Sequence, residues 1–308
     1  MGTDGTPGRD TAGQSRTADL GGPVHYVDFG GPVDAPVMVL VHGLGGSHLN
    51  WDLFAPLVRD HVRVLAVDLP GFGRSEPGSR RASVGANVGV LHRFLDEVVG
   101  EPAILVGNSM GGMISILATG RHPGSVRGLV LLDPAVPGPH RAQDPLVVLT
   151  FAIYALPFVG ERFLWWRRQR QPALRRVHEM LELCGVDPDR VPASVIDRSV
   201  TLLEERRDVD GMDRAFLGAA RSLLRVLADP RGYRSAMASI DVPVLLVHGD
   251  RDRLVPVQAA RGIAARHPAW RYTEWTGAGH LPQLQEPDRL AAEVLDWLAH
   301  SSLTRAPA

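Results

Sequence analysis

The sequence predicts an α/β protein: a doubly wound, mostly parallel sheet with an inserted helical lid. From residue 24 to residue 136, short apolar runs rich in Val, Leu and Ile alternate with longer segments of helical spacing. The alternation stops between residues 139 and 239, where only helical patterns broken by proline occur, and it resumes at residue 244. Continuous apolar runs are typical of strands buried on both faces, and strand–helix alternation is typical of parallel sheets.

The elements follow in chain order. Residues 24–29 have the pattern of an antiparallel entry strand. Before the lid, buried strands are predicted at 37–41, 62–67, 103–106 and 128–132, with helical segments at 51–58, 84–98 and 110–119. After it, strands are predicted at 244–247 and 271–275 and helices at 257–266 and 287–299. A helical block between two parallel strands indicates a lid over the carboxyl edge of the sheet.

These patterns predict the following domain organisation. Residues 1–22 are rich in Gly, Thr, Asp and Arg without an apolar run, which indicates a disordered tail and no secretory signal. Residues 23–138 and 240–300 form the core, and residues 139–239 form the lid. No segment reaches the apolar length of a membrane span, so we expect a soluble, cytoplasmic protein.

Composition excludes several classes of function. The formal net charge is −1, which gives no reason to expect nucleic-acid binding. The single Cys184 excludes an intramolecular disulfide and fits a reducing compartment. The chain contains no Lys, so a Walker-type phosphate loop and a Schiff-base mechanism are excluded, because each needs an ammonium group.

The most informative motif is Gly-Asn-Ser-Met-Gly at residues 107–111, directly after the apolar run 103–106. A Gly-x-Ser-x-Gly turn between a strand and a helix holds the central residue in strained backbone geometry and exposes its hydroxyl. Small residues flank it because a Cβ there would strike the neighbouring strand or helix. Ser109 is therefore predicted to be a nucleophile.

Two further groups are predicted at the carboxyl ends of later strands. Asp252 follows the run 244–247, and His280 follows the run 271–275. Open α/β sheets bind ligands at this edge. The chain order nucleophile, acid, histidine is that of α/β-hydrolases and differs from both protease orders. On these motifs the chain resembles the α/β-hydrolase superfamily from residue 24 to residue 299.

The chemistry of that arrangement gives each residue a role. His280 would take the proton of Ser109 during attack and return it to the leaving group. Asp252 would hold the imidazole tautomer and stabilise the imidazolium. The backbone N–H groups of Met110 and Leu44 would form the oxyanion hole, a duty that the resemblance also gives to the His-Gly loop after strand 37–41.

Two other aspartates are alternatives to Asp252 as the acid of the triad. Asp250 lies two residues from Asp252, and Asp133 ends the strand 128–132, where some relatives of the fold place the acid. His42 is predicted to orient its loop. The histidines at positions 48, 61, 92, 122, 178 and 267 form no pair with ligand spacing beside a carboxylate, so no metal is predicted, and no cofactor either.

The segment 162–170 interleaves arginines with Trp165 and Trp166. We favour a lid helix with an aromatic underside packed on the pocket over contact with a membrane surface. The predicted partner is a small-molecule substrate; oligomeric state is not predicted.

The predicted function is a serine esterase acting on a small, moderately apolar substrate. The elbow at 108–112 also resembles that of C–C bond hydrolases of vinylogous diketo acids, although Leu281 stands where that group usually has Trp. A cofactor-free perhydrolase or haloperoxidase would use the same triad. A hydrolase-fold ligand-binding protein is an alternative of another class. Haloalkane dehalogenases and epoxide hydrolases are excluded, because they place Asp where Ser109 stands.

Overall fold

The computed structural model describes residues 13–138, 144–301 and 303, and these form one eight-stranded sheet with helices on both faces. The spatial order of the strands is β1-β2-β4-β3-β5-β6-β7-β8. The pairs β1–β2 and β2–β4 are antiparallel, and every other pair is parallel. The strands are β1 (Gln14–Asp19), β2 (Pro23–Gly30), β3 (Val37–Val41), β4 (Arg63–Val67), β5 (Ala103–Asn108), β6 (Val126–Leu132), β7 (Val244–Gly249) and β8 (Arg271–Trp275).

Twelve α-helical segments lie in the described part of the chain. They are α1 (Ala55–Val58), α2 (Val84–Phe94), α3 (Met110–Arg121), α4 (Pro145–Ala155), α5 (Val159–Arg170), α6 (Ala173–Leu183), α7 (Ala193–Glu205), α8 (Met212–Ala228), α9 (Arg231–Ala238), α10 (Val257–Ala264), α11 (Pro282–Gln285) and α12 (Pro287–His300). Helix α2 continues as a π-helical turn over Leu95–Val99. The predicted α/β fold with a doubly wound, mostly parallel sheet is confirmed.

The core consists of two layers, one on each face of the sheet. Successive residues of β5 alternate between them, because side chains of a strand point to opposite faces. Leu105 packs in the layer under α2 and α3, whereas Ile104 and Val106 pack in the layer under α1 and α12. All three side chains are fully buried. This two-sided burial explains why the central strands are continuous apolar runs.

The amino-terminal segment corrects the prediction of a disordered tail over residues 1–22. Residues 14–19 form β1, which pairs along its whole length with β2 at the edge of the sheet. Most of its side chains are exposed, so composition gives no strand signal; backbone hydrogen bonds to β2 hold it instead. Residues 1–12 lie outside the described residues.

Two helical predictions also change in detail. The segment 51–58 is a 3₁₀ turn over His48–Trp51 followed by the single-turn helix α1. In the predicted lid, the described residues between β6 and β7 contain helices and no strand, and residues 139–143 lie outside the description. Helix α9 packs on α3 of the core through Tyr233 and Met237, so the last part of segment 139–239 belongs physically to the core.

No single helix among the described residues has both the length and the hydropathy of a membrane span. Helices α4 and α5 meet those criteria only as a pair, and the two are bent by 109° relative to each other.

Candidate active site

Ser109 occupies a sharp turn between β5 and α3. Its backbone has φ 54° and ψ −119°, a conformation that L-residues rarely adopt. The flanking glycines are required by close contact: a Cβ on Gly107 would lie 2.6 Å from the carbonyl oxygen of Gly111, and a Cβ on Gly111 would overlap the carbonyl oxygen of Val41. The strained serine is therefore fixed by packing of the strand, the turn and the first helical turn.

Asp252 and His280 meet at the ends of β7 and β8. His280 Nδ1 donates a hydrogen bond of 2.7 Å to Asp252 Oδ2, and both side chains are buried. The other carboxylate oxygen, Oδ1, accepts bonds from the backbone N–H groups of Leu254 and Val255 at 2.8 and 2.9 Å. The carboxylate is thus held from both sides, and His280 Nε2, which has no hydrogen-bond partner, is left for proton transfer.

Opposing effects set the pKa of His280. Burial lowers it, but the charge of Asp252 and the hydrogen bond to that carboxylate raise it, with a further contribution from the Asp133 charge. The balance raises the pKa of His280 above its ordinary value. Its proton affinity is therefore matched to general-base work near neutral pH.

Ser109 and His280 line the same cavity, which has a volume of about 860 Å³. No hydrogen bond joins the Ser109 hydroxyl to His280 Nε2 in this conformation. Most of the surrounding wall comes from the helices between β6 and β7, and aromatic and aliphatic side chains dominate it, including Phe151, Tyr154 and Phe216. A cavity of this size and lining suits a small, largely apolar molecule.

The predicted oxyanion loop lies against the serine. A Cβ on Gly43 would be 3.0 Å from the Cβ of Ser109, so the loop and the elbow are in contact. The backbone N–H groups of Leu44 and Met110 make no hydrogen bond to another backbone group in the described chain. Both therefore remain available as donors.

His42 is a positioning residue in that loop. Its Nδ1 donates to the carbonyl oxygen of Gly43 at 2.7 Å, and its Nε2 accepts from the backbone N–H of Leu69 at 3.0 Å. These two bonds require the neutral ring, and burial lowers the pKa of His42 accordingly. The geometry agrees with the predicted orienting role.

The two alternative acids have different surroundings. Asp250 is exposed and accepts a bond from the backbone N–H of Gly277 at 2.7 Å. Asp133 is fully buried, adopts φ 44° and accepts a bond from the Gly249 N–H at 2.8 Å. Burial raises the pKa of Asp133 to about 7. Neither makes a hydrogen bond to His280, whereas Asp252 does.

His248 is a buried neighbour of the site that the sequence reasoning missed. Its Nε2 donates to the carbonyl oxygen of Val255 at 2.9 Å and lies 3.5 Å from Asp252 Oδ2, and its Nδ1 lies 3.7 Å from Asp133 Oδ1. The signal was present in the sequence, since His248 ends a buried strand four residues before Asp252.

Two hydrogen bonds at the backbone of His280 tie the histidine loop to the rest of the molecule. The N–H of His280 donates to the carbonyl oxygen of Cys184 in the segment after α6, at 2.8 Å. Asn108 Nδ2 donates to the carbonyl oxygens of His280 and Leu132 at 3.0 and 3.1 Å. The elbow residue next to Ser109 therefore also positions the histidine, and the inserted helices contact that loop from above.

A second Ser–His–Asp constellation lies at the far edge of the sheet. Ser15 Oγ donates to His25 Nε2 at 2.6 Å, and His25 Nδ1 donates to Asp68 Oδ2 at 2.8 Å. His48 Nδ1 contacts the same oxygen at 2.8 Å, so a histidine pair does lie beside a carboxylate; its other member, His25, was not among the histidines considered for ligand spacing. Sequence spacing could not show it, because three separate segments converge.

Two clusters place potential metal ligands within 4.8 Å of one another: His25, His48 and Asp68, and Asp133, His248 and Asp252. In the first, the 2.8 Å contacts are hydrogen-bond distances, and Asp68 also accepts the backbone N–H groups of His48 and Arg74. Burial would raise the pKa of Asp68, but the side-chain hydrogen bonds from His25 and His48 hold it well below its ordinary value. The absence of a metal stays a prediction.

Comparison with known proteins places these features in context. The sequence profile of a family described as alpha/beta hydrolase fold matches residues 36–287. A pimeloyl-[acyl-carrier protein] methyl ester esterase of Aromatoleum aromaticum is 28% identical over 86% of this chain and 98% of its own length. A 2-hydroxy-6-oxononadienedioate/2-hydroxy-6-oxononatrienedioate hydrolase of Cupriavidus pinatubonensis is 27% identical, covering 90% of this chain and 91% of that protein.

Among solved structures, a loop variant of a haloalkane dehalogenase from Bradyrhizobium elkanii superposes with a TM-score of 0.74. The match covers 94% of this chain and 98% of the dehalogenase at 23% identity, which shows a shared fold.

Proposed function

We propose that this chain, which belongs to the alpha/beta hydrolase fold family and is a hydrolase, cleaves an ester of a small, moderately apolar molecule through an acyl-enzyme on Ser109. The observation that carries the proposal is the shared cavity. The strained Ser109 and the unpaired Nε2 of His280 both line it, and Asp252 is bonded to the opposite ring nitrogen.

The first half-reaction forms the acyl-enzyme. As the Ser109 oxygen attacks the ester carbon, its proton passes to His280 Nε2, and Asp252 stabilises the resulting imidazolium. The negative charge on the former carbonyl oxygen is stabilised by the N–H groups of Met110 and Leu44. When the intermediate collapses, His280 Nε2 gives its proton to the departing alcohol oxygen.

The second half-reaction releases the acid. A water molecule loses a proton to His280 Nε2 and attacks the acyl carbon, and the intermediate expels Ser109, which regains the proton. The apolar wall contributed by Phe151, Tyr154 and Phe216 would bind the acyl or alcohol group without carrying chemistry.

A second candidate is hydrolysis of a C–C bond in an acidic substrate. Arginines in the cavity lining favour it, among them Arg176, Arg206 and Arg207. Burial lowers the pKa of Arg176, and the nearby positive charge of Arg167 lowers it further; burial also lowers the pKa of Arg206, whose Nε is buried without a partner. Desolvated like charges are stabilised by an anion, and the relative from Cupriavidus is described as acting on dioates.

Turnover of two substrate series separates these candidates. p-Nitrophenyl esters of increasing acyl length and one dienoate diketo acid are assayed with the wild type and with Ser109→Ala. The proposal predicts ester turnover that falls by about 10⁶ in kcat in the variant. Turnover of the diketo acid without measurable ester turnover would favour the second candidate, and ester turnover unchanged in Ser109→Ala would refute both.

A further inference from the structure

Exposed apolar side chains are concentrated on one part of the molecule. Eight of the eleven large apolar residues that are exposed in the described chain lie on α4, on α5 or in the turn between them. We call this surface the lid patch; it consists of Leu146, Val148, Leu149, Leu156, Phe158, Val159, Trp165 and Trp166. Eight exposed apolar side chains on two consecutive helices indicate an interaction site, because exposed apolar residues on a soluble surface are ordinarily scattered singly.

Helices α4 and α5, which carry the lid patch, are fixed by aromatic packing and ion pairs. Tyr154 is buried and packs edge-on against Phe216 of α8, with ring centres 5.2 Å apart. Ion pairs join Arg168 to Asp213 and Arg221 to Glu161, at 2.7 and 2.8 Å. The apolar outer face is therefore displayed by an anchored pair of helices. The expected aromatic underside is found for Phe163 and Trp166, which line the cavity, but not for Trp165, which is 52% exposed.

The most exposed side chain of the patch is that of Phe158, in the turn between α4 and α5. Its side chain is 85% exposed and its backbone has φ 65°. An aromatic residue with a positive φ has a strained backbone. Because the Phe158 ring is exposed, no burial within this chain offsets the free-energy cost of that strain. The strain is explained if the ring is buried by something outside the chain.

The charges around the patch identify its partner. Arg162 and Arg170 are exposed on α5, and neither forms an ion pair with another described residue. The one acidic residue of α5, Glu161, is already paired with Arg221. An apolar surface bordered by unneutralised arginines complements the interface of an anionic bilayer, which offers hydrocarbon and phosphate together.

We propose that the lid patch docks on the surface of an anionic membrane. Because α4 and α5 are short and bent by 109°, the pair would lie in the interfacial region and not cross it. Leu146 and Val148 belong both to the patch and to the cavity wall, so docking would place the cavity entrance at the lipid surface. A second copy of the chain is a poorer partner, since it would bring the same arginines towards one another.

Vesicle co-sedimentation of the full chain tests this proposal without depending on activity. Vesicles of phosphatidylcholine with phosphatidylglycerol are compared with phosphatidylcholine alone, at low and high salt. We expect binding to the anionic vesicles that weakens with salt. Phe158→Asn, a polar residue that tolerates the left-handed backbone, should weaken binding by about tenfold, as expected for losing one buried aromatic ring.

Matched controls keep the result interpretable. Val33 is 91% exposed but lies outside the lid patch, so Val33→Ser should bind like the wild type. The double variant Arg162→Gln/Arg170→Gln should lose the preference for anionic vesicles. Absence of binding at low salt would overturn the proposal. So would equal loss in Val33→Ser, or a concentration-dependent dimer that Phe158→Asn dissociates without any vesicle binding.

Discussion

At the scale of single residues, the site is held mainly by backbone hydrogen bonds. Asp252 Oδ1 accepts two backbone N–H groups, Asp133 Oδ1 accepts one, and the N–H of His280 is bonded to a carbonyl oxygen. The two carboxyl groups are therefore each held by backbone N–H donors as well as by any contact with a histidine. Conservative substitutions should change the chemistry while leaving the geometry in place, so the roles of the two buried carboxyl groups can be separated.

The identity of the acid follows from such a pair of variants. Asp252→Asn should lower kcat by about 10⁴, because an amide cannot fix the required His280 tautomer. Asp133→Asn should retain turnover, since the Asn oxygen can still accept the Gly249 N–H and no bond to His280 is lost. Steady-state kinetics on the preferred ester measures both. Full activity in Asp252→Asn with loss in Asp133→Asn would identify Asp133 as the acid instead.

The pH dependence of turnover reports on His280. In the proposed mechanism the neutral ring is the base, so the rate should fall as pH falls through the pKa of His280, which lies above the ordinary value of 6.5. Because the Asp133 charge contributes to that rise, Asp133→Asn should move the inflection of kcat/KM to lower pH. A pH–rate profile of both proteins is the measurement. A rate that stays flat into the range where carboxyl groups titrate would contradict the assignment.

At the scale of elements, the sequence predicted β2 to β8 and missed β1. β3 to β7 appear within two residues of their predicted positions, because burial on both faces imposes continuous apolar runs, whereas the edge strand β8 has mostly part-exposed side chains and still has its predicted bounds. β1 was missed because backbone pairing at a sheet edge needs no apolar side chain. The inserted segment was predicted as helical, but its side-chain packing and its contact with the histidine loop depend on tertiary structure.

That contact with the histidine loop gives a prediction of its own. Gly185 has φ 72°, and a Cβ there would lie 2.7 Å from the carbonyl oxygen of Arg251. Gly185→Ala should therefore displace the Cys184 carbonyl from the His280 N–H and lower kcat, with about 1–3 kcal/mol of lost stability. The matched control is Gly218→Ala, within α8, where a Cβ meets nothing within 4 Å. Steady-state kinetics and thermal unfolding of both variants test this prediction. Equal losses of kcat in Gly185→Ala and Gly218→Ala would mean that the contact between Cys184 and His280 has no specific role.

At the scale of the whole molecule, two Ser–His–Asp constellations lie at different places on one sheet. Ser15 has a histidine and a carboxylate behind it, with a shorter serine–histidine contact than Ser109 shows. It lies on an extended edge strand, however, and it neither precedes a helix nor lines the large cavity. Only Ser109 combines a strained turn, a helix amino terminus and a substrate-sized cavity. We therefore expect the position of a serine in the fold, more than its hydrogen bonds, to determine which of the two reacts.

Covalent labelling with a fluorophosphonate, read by intact-protein and peptide mass spectrometry, tests this central claim most directly. One adduct is expected on the peptide that contains Ser109. It should be absent in Ser109→Ala, present in Ser15→Ala, and formed much more slowly in His280→Ala, since the histidine activates the hydroxyl. A wild-type protein that forms no adduct, or an adduct that persists in Ser109→Ala and disappears in Ser15→Ala, would contradict the account.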